Sequence, residues 1–420
     1  MRAPPVDPIS PSRLTRSSRD TAHRRQADRP AGSRQAEGRS GKTIRGCSMS
    51  GKTRAADNAV DRCMQAEASL TRRSLALGAA SLSMMLAAPA SHAQGRPKVR
   101  LWGASATVEA YHGFLFLGNP LGFFKDDGVD VEFGTAAGSA ATLQLIAAGQ
   151  VQMGYIGMDV LILAKARNPQ LPITAVYLQD RGNIYEIVVP EDSAIKTVAD
   201  LKDKTIGVAN LASGAIPSLR ATLTDAGLDP NASVGLIPVG NGAQAAAALR
   251  AGRIQALSLF RAQHALIETL GFKFRRFTRN APSAVIAVNT AFLKDHREAV
   301  IKTLRGIAKS SIFAEVNPAA TVRQFWAMFG KPQGLTEDEA MKRSAYILSS
   351  TAELWKDYKD KSVPWGDMTA RQWEEMQKFL IDQKLQDRPV AIEALFTNEL
   401  TAEVNRFDQD AVVAVARAAR

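Results

Sequence analysis

The residues best suited to bind a small ligand follow short apolar runs that are typical of buried strands. Hydroxyl, amide and glycine residues at helix starts can present unpaired backbone N–H groups to an anion, and arginine can hold a carboxylate or sulfonate through two parallel hydrogen bonds. Because ligands of open α/β sheets bind beyond the carboxyl ends of the strands, we expect these residues to line a cleft. The candidates are Ser105, Thr107, Tyr111, Gly138, Ser139, Met158, Asp159, Arg181, Asn183, Ser213, Gly214, Asn241, Phe260 and Arg261.

Two pairs among these candidates indicate the kind of ligand. Arg181 and Arg261 favour a small organic anion such as a sulfonate or carboxylate, and Tyr111 and Phe260 could sandwich an apolar or aromatic body. Each feature also has an ordinary structural explanation: the polar residues cap helices, the arginines are solvated, and the aromatic rings pack in the core.

Other motifs for chemistry are weak. Residues 46–53, GCSMSGKT, match the phosphate-binding P-loop pattern, but no apolar strand precedes them and no helix pattern follows, so we interpret the match as chance. Downstream of residue 93 the chain has three histidines (His112, His264, His296) and no cysteine. Isolated histidines are more often ordinary surface or core residues than a catalytic set. The sequence therefore predicts a binding protein that needs no cofactor, rather than an enzyme.

Strand-like and helix-like segments alternate from residue 99 onward, which favours parallel sheets with crossover helices. The predicted strands are 99–104, 129–134, 151–157, 173–179, 184–190, 205–210, 234–240, 254–260 and 283–289, and the predicted helices are about 107–117, 139–148, 215–226 and 244–251.

The pattern repeats at an offset of 103 residues. AGQVQMGYIG at 148–157 is echoed by AGRIQALSLF at 251–260, and the same offset pairs Gly149 with Gly252 and Gln152 with Gln255. Ala-rich helices that end in glycine are common, so each match is weak alone. Together they predict two similar α/β lobes, with lobe I formed by 97–182 plus 286–420 and lobe II by 183–285.

Beyond residue 289 the sequence changes to amphipathic helices, with apolar residues three and four apart. We expect these helices to cover lobe I. Four tryptophans lie in this region, and we interpret them as packing residues: Trp326, Trp355, Trp365 and Trp373.

The basic excess of the chain belongs to its first 93 residues, which hold 16 Lys and Arg against 7 Asp and Glu. The remainder has 37 basic and 34 acidic residues, so nucleic acid is not an expected partner. Arg72 and Arg73 precede a short apolar run (75–88) and a small-residue end, which predicts a signal peptide at about 64–93, cleaved after Ala93. The arginine pair suggests the twin-arginine route, but paired arginines also occur in ordinary signal peptides, so both routes stay open. We expect translation to start at Met64, with Met49 as the alternative, and the product to be periplasmic.

Five segments in a fixed order carry a family resemblance: GFFKDDGVDVEF (122–133), LIAAGQVQMGYIG (145–157), TVADLKDKTIGV (197–208), AALRAGRIQA (247–256) and VNTAFLKDHREAV (288–300). Over residues 97–410 the chain resembles periplasmic substrate-binding proteins of ABC importers in the nitrate/sulfonate/taurine class. The resemblance implies a type II periplasmic binding protein fold, with two α/β lobes joined by two hinge strands and C-terminal helices packed on the first lobe.

The resemblance also implies partners and a mechanism. A small ligand would close the hinge, and the closed protein, expected to be a monomer, would dock on an inner-membrane permease that works with an ATPase. Three alternatives stay open: a neutral pyrimidine-type vitamin precursor as ligand, a sensing module for a membrane receptor, and an enzyme. Pyrimidine synthases of thiamine biosynthesis share this fold but use a cysteine-rich motif. The chain departs from the family at Gln152 and Gln255, where Asp is common, and at Asp203, where Gly is usual.

Overall fold

The structure, a computed structural model, describes residues 95–105, 107–211, 213–279 and 281–420. The leader predictions, including the signal peptide and the start at Met64, lie outside the described residues. Among the described residues the strands are β1 (Lys98–Gly103), β2 (Asp130–Thr135), β3 (Met153–Gly157), β4 (Ile173–Asp180), β5 (Tyr185–Pro190), β6 (Thr205–Val208), β7 (Gly235–Pro238), β8 (Ala256–Phe260), β9 (Phe274–Phe277) and β10 (Ala284–Asn289).

The helices of the described residues alternate with these strands and then form a C-terminal group. They are α1 (Gly113–Phe116), α2 (Phe123–Asp126), α3 (Ser139–Ala147), α4 (Met158–Arg167), α5 (Ala215–Asp225), α6 (Ala243–Arg250), α7 (Arg261–Glu268), α8 (Thr290–Asp295), α9 (Arg297–Val316), α10 (Pro318–Phe329), α11 (Glu337–Ala352), α12 (Ala370–Asp382), α13 (Thr401–Val404) and α14 (Gln409–Ala418).

Two five-stranded sheets form the two lobes. The strand order is β2-β1-β3-β10-β4 in lobe I and β7-β6-β8-β5-β9 in lobe II. In each sheet the first three strands of this order pair in parallel. The fourth strand, β10 in lobe I and β5 in lobe II, pairs antiparallel with the third. The predicted fold class, two α/β lobes, is confirmed.

The predicted repeat is visible in atomic contacts. The Gln152 side chain accepts a hydrogen bond from the Arg100 amide at 2.9 Å, and Gln255 accepts one from the Thr205 amide at 3.0 Å. Gly149 and Gly252, the residues that end the preceding helices, both have φ of 68°. Both glutamines precede strands, whereas the cleft lies beyond the strands' carboxyl ends. The Asp-to-Gln departures therefore stabilise the lobes and do not face the ligand cleft.

The third departure, Asp203, has a backbone reason. Its φ is 60°, in the left-handed region that glycine adopts without steric cost, and its amide donates to the Ser233 carbonyl at 2.8 Å. Aspartate tolerates this region better than most residues. The position therefore explains why glycine is usual there and shows that Asp203 belongs to a turn rather than to a binding site.

The C-terminal helices cover lobe I as predicted. Residues of α9, α10, α11 and α14 share one apolar core with β1, and residues around α12 share a second with α4. The four tryptophans are buried as predicted, each at most 6% exposed. Within the described residues, no helix is both long enough and apolar enough to cross a lipid bilayer.

Several local predictions were wrong. The predicted helix at about 107–117 is a 3-10 turn at Ala110–His112 followed by the short helix α1. Helices α2, α4 and α7 and strand β9 were not predicted. Helices α4 and α7 begin at the residue after β3 and β8, so no polar loop separates strand from helix in the sequence.

The candidate ligand cleft

Two chain crossings connect the lobes. Residues 181–184 lead from β4 to β5, and residues 278–283 lead from β9 back to β10. Ser283 joins the crossings: its amide donates to the Asp180 carbonyl at 3.0 Å, and its hydroxyl donates to the Gly182 carbonyl at 2.8 Å. The Met158 amide donates to the Ser283 carbonyl at 3.0 Å. The start of α4 is therefore held against the crossings.

Lobe I places a carboxyl group at the start of α4. The Ser139 hydroxyl accepts a hydrogen bond from the Gly157 amide at 3.0 Å, which ties the start of α3 to the end of β3. A Cβ atom at Gly157 would overlap the Asp159 carboxylate, so the glycine lets this side chain fold back over the helix start. Burial raises the pKa of Asp159, and hydrogen bonds from the amides of Val160 and Asp159 oppose the rise.

A second carboxyl group lies deeper, at the last residue of β4. Asp180 is 1% exposed, and the Tyr155 hydroxyl donates a hydrogen bond to its carboxylate. Burial raises the pKa of Asp180 to about 7, although the hydrogen bond from Tyr155 opposes the rise. Burial and the charge of Asp180 raise the pKa of Tyr155 well above its usual range. This carboxyl group therefore has no cationic partner among the groups that shift its pKa.

Lobe II contributes a tyrosine and an amide. The Asn183 side chain accepts from the Tyr185 amide at 3.0 Å and donates to the Ser218 hydroxyl at 3.1 Å. A Cβ atom at Gly214 would lie 2.5 Å from the Tyr185 hydroxyl oxygen, so this glycine allows the phenol to approach the start of α5. Burial and the nearby Asp159 carboxylate raise the pKa of Tyr185 to about 12.

Asp159, Asn183, Tyr185 and Gly214 line a cavity of about 690 Å³ between the lobes, whereas Tyr155 and Asp180 do not line it. Asp159 lies on the lobe I side, Tyr185 and Gly214 lie on the lobe II side, and Ser283 belongs to the second crossing. Apart from Asn183 and Val198, the rest of the lining comes from α5 and the residue after it, the second crossing and α12 of the C-terminal group. The volume lies within the range of about 300–1,000 Å³ that is usual for sites of drug-sized molecules.

Both arginines on which the anion prediction rested are engaged by the protein. The Arg181 guanidinium donates to the carbonyls of Pro364 and Asp367 at 3.2 and 3.3 Å. The Arg261 guanidinium pairs with Glu186 at 2.6 Å and with Glu353 at 2.8 Å. Neither residue lines the cavity. The two cations that do line the cavity, Arg279 and Lys378, are paired with Asp225 at 3.3 Å and with Asp382 at 2.7 Å. An anion near Asp159 would therefore meet a carboxylate and would have to compete with Asp225 or Asp382 for a cation.

The remaining predicted residues are divided between the edge of the cleft and the core. Met158 is completely buried in the core around α4, because the helix turns this side chain inward. The Ser213 hydroxyl accepts from the Ala215 amide at 3.3 Å, which is the capping role. The others follow strands but do not line the cavity: Ser105, Thr107, Tyr111, Gly138, Ser139, Asn241 and Phe260.

The sequence patterns missed Tyr155, Asp180 and Tyr185. All three lie inside strands, where an isolated polar residue is typical of a half-buried position. The available signal was position: each lies within two residues of the strand end that faces a crossing or the cleft. The cavity lining of α12 gave no comparable signal, because its amphipathic pattern indicated only a covering helix.

Comparison with known proteins identifies the family. Residues 109–321, just over half of the chain, match the model described as NMT1/THI5 like. The chain belongs to the NMT1/THI5-like family. None of the matched residues is a cysteine.

Two relatives and one solved structure are similar to this chain. YtlA of Bacillus subtilis (strain 168) is 22% identical over 286 residues, which cover 66% of this chain and 81% of YtlA. The formylaminopyrimidine-binding protein of Halalkalibacterium halodurans is 22% identical and covers 69% of this chain and 86% of its own length. The periplasmic aliphatic sulphonate binding protein SsuA of Escherichia coli has the same fold, with a TM-score of 0.53, 16% identity and coverage of 71% and 91%.

Proposed function

We propose that this chain is the solute-binding component of an ABC importer and that it traps a small, neutral ligand with N–H donors, of the aminopyrimidine type. The observation that carries the proposal is the pair formed by Asp159 and Tyr185, which face one cavity from opposite lobes. A carboxylate accepts hydrogen bonds and repels anions, and a tyrosine ring offers a face for stacking. We therefore favour the neutral ligand over the anion that Arg181 and Arg261 suggested.

The electrostatics of the cavity support this choice. Burial raises the pKa of Asp159, which means that its ionised form lacks solvation in the free protein. A ligand N–H group would restore part of that solvation and would form a charge-assisted hydrogen bond. The name of the Halalkalibacterium halodurans relative describes a ligand of this chemistry. A sulfonate would add a second negative charge beside the first.

The proposed mechanism is closure about the two crossings. A ligand that contacts Asp159 on lobe I and Tyr185 on lobe II makes both contacts only when the lobes are close, so binding shifts the population toward the closed form. We propose that the closed form, acting as a periplasmic monomer after removal of the leader, docks on a permease whose ATPase drives import. Trapping requires no bond to break, and the cysteine-free family region supports a role other than that of an enzyme.

The test is calorimetric titration of the purified protein with 4-amino-2-methylpyrimidine, ethanesulfonate and benzoate. Of these three compounds, we expect only 4-amino-2-methylpyrimidine to bind. Asp159→Asn should weaken it by about 10- to 100-fold, because a hydrogen bond to a charged group contributes about 1.5–3 kcal/mol. The matched control is Asp225→Asn at the far end of the cavity, which should change the affinity by less than about threefold. Tight binding of a sulfonate that strengthens in Asp159→Asn would contradict the proposal.

Transport is tested separately. Uptake of the radiolabelled pyrimidine into vesicles should require this protein together with a permease and ATPase encoded beside it. Binding without uptake, combined with phosphorylation of a neighbouring membrane receptor, would instead support the sensing alternative.

A further inference from the structure

The cavity is much longer than the Asp159–Tyr185 end requires. Its lining follows one face of α5 from Gly214 through Ser218 and Thr222 to Asp225, at spacings of three or four residues. At about 1.5 Å rise per residue, this face is about 16 Å long. A single ring held between Asp159 and Tyr185 occupies only the first part of it.

The outer part of the cavity is closed by α12. The helix is fixed at its start by a capping box between Thr369 and Gln372, and it buries Trp373 and Leu380 against lobe I. This orientation leaves Met376 and Phe379 partly exposed, three residues apart and facing the cavity.

Each charged side chain that lines the outer part is paired within the protein. Glu375 accepts a hydrogen bond from Arg371 at 2.7 Å. Arg279, on the second crossing, pairs with Asp225 at 3.3 Å and stacks over the Phe379 ring at 4.8 Å. Lys378 donates to Asp382 at 2.7 Å. The remaining side chains on the wall are largely apolar: Val198, Pro217, Ala226, Met376 and Phe379. This part of the cavity suits an uncharged apolar group and offers no spare charge to an ionic one.

From these observations we propose that Met376, Phe379 and the outer face of α5 form a second subsite, which selects ligands carrying an apolar alkyl or aromatic extension. The inference rests on the proposed function, since the polar head of the same ligand lies at Asp159 and Tyr185. Helix α12 lies outside residues 109–321, the part that matches the family. The extension would therefore be a specificity of this chain's C-terminal region, added to the site that the family region forms.

The experiment compares three probes by calorimetry on the purified protein: 4-amino-2-methylpyrimidine, its 5-benzyl derivative and its 5-(4-carboxybenzyl) derivative. We expect the benzyl probe to bind at least tenfold tighter than the bare pyrimidine, because it buries apolar surface on Met376 and Phe379. The carboxybenzyl probe should bind no tighter than the bare pyrimidine. Equal affinity of the benzyl probe and the bare pyrimidine would overturn the second subsite while leaving the proposed function intact.

Two variants test which part of the cavity gives the benzyl probe its higher affinity. Thr222→Trp fills the outer cavity from α5 and should abolish the advantage of the benzyl probe while leaving the bare pyrimidine within about twofold; the matched control is Arg220→Trp on the exposed face of α5. Phe379→Ala removes one wall and should reduce the same advantage several-fold, which tests the subsite independently if Thr222→Trp does not fold. Equal weakening of both probes in these variants would overturn the inference. If neither probe binds the unaltered protein, the proposed function and the inference fail together.

Discussion

The pKa of a buried carboxyl group is shifted in opposite directions in the two lobes. Asp180 ends the last strand of lobe I before the first crossing, and Glu186 lies in the first strand of lobe II after it; they are 1% and 2% exposed. Asp180 accepts from a neutral tyrosine and has its pKa raised to about 7. Burial would also raise the pKa of Glu186, but His264, Arg261 and Arg276 outweigh it and hold that pKa below its usual range.

The difference lies in what surrounds each carboxyl group. In lobe II, Glu186 pairs with Arg261 at 2.6 Å and with Arg276 at 2.7 Å, so its charge is balanced inside the protein. In lobe I, burial raises the pKa values of Asp159 and Asp180, and no cation is among the groups that shift either pKa. A raised pKa at a residue that lines a cavity, as at Asp159, is typical of a binding site. Asp180 does not line the cavity, and the balanced charges around Glu186 are typical of a structural network.

The largest expected effect comes from breaking the network of lobe II. Glu186→Gln removes the charge that balances Arg261 and Arg276 while keeping the side chain's shape. Breaking a buried ion pair from one side costs about 3–5 kcal/mol because the other charge is left buried. Urea unfolding should show this loss of stability at pH 7. A loss of stability below about 1 kcal/mol would mean that the ion pairs of Glu186 do not stabilise lobe II, and the contrast with Asp180 in lobe I would be wrong.

The second prediction tests lobe I through pH. Because the folded-state pKa of Asp180 lies above its ordinary value of 3.8, the folded chain binds an extra proton between about pH 4 and pH 7. The stability that this proton provides is present below that window and is lost as pH rises through it. Asp180→Asn should therefore match the unaltered protein at pH 4 and be more stable at pH 8, by about 2–4 kcal/mol.

A matched control reverses the sign. Hydrogen bonds from the Ser362 hydroxyl and amide lower the pKa of Asp360, an exposed carboxyl group. Asp360→Asn should therefore be less stable than the unaltered protein at pH 8 and equal to it at low pH. If Asp180→Asn followed the same trend as Asp360→Asn in urea unfolding, the contrast between the buried acids of the two lobes would be wrong.

The third prediction concerns what the lobes share. Gln152→Ala and Gln255→Ala each remove a side-chain hydrogen bond to the amide of a neighbouring strand, at 2.9 and 3.0 Å. We expect nearly equal losses of about 1 kcal/mol from the two changes in thermal unfolding. Neither should alter pyrimidine affinity, because both positions lie at the amino ends of β3 and β8. A large affinity change in one variant would break the symmetry between the lobes.

The smallest expected effect is at the contact between the lobes. Glu353, the residue directly after α11, pairs with Arg261 at 2.8 Å, but its side chain is 68% exposed. Exposed ion pairs contribute about 0–1 kcal/mol, so Glu353→Ala should lower stability by less than about 1 kcal/mol. Comparison with Glu186→Gln in the same urea experiment tests whether Arg261 serves lobe II itself or the contact across to lobe I.

The sequence was informative where a position beside the cavity follows directly from chain order. Asp159, Asn183 and Gly214 were predicted because they follow strands or open helices, and all three line the cavity. The repeat predicted two lobes because a constant offset survived across strand, helix and loop. These features depend on residues close together in the chain or on a regular spacing between them.

Features that depend on distant partners were not predictable. The partners of Arg261 lie 75 residues before it and 92 residues after it, so the sequence showed a free arginine where the fold has an engaged one. Phe379 faces Asp225 across more than 150 residues of chain. Tyr155 and Asp180 meet only because β3 and β4 both pair with β10. Periodicity assigns such residues to elements but does not show which elements meet.

The paired crossings have a consequence for how the molecule moves. Ser283 donates hydrogen bonds to the carbonyls of both Asp180 and Gly182, so the two backbone segments that link the lobes are held together at this point. We infer that the lobes rotate about a single hinge axis at these hydrogen bonds, and that sliding or twisting of one lobe against the other is suppressed. Asp159 and Tyr185 lie close to that axis. A small rotation of the lobes therefore moves these two residues little and opens the opposite edge of the cavity by a larger distance.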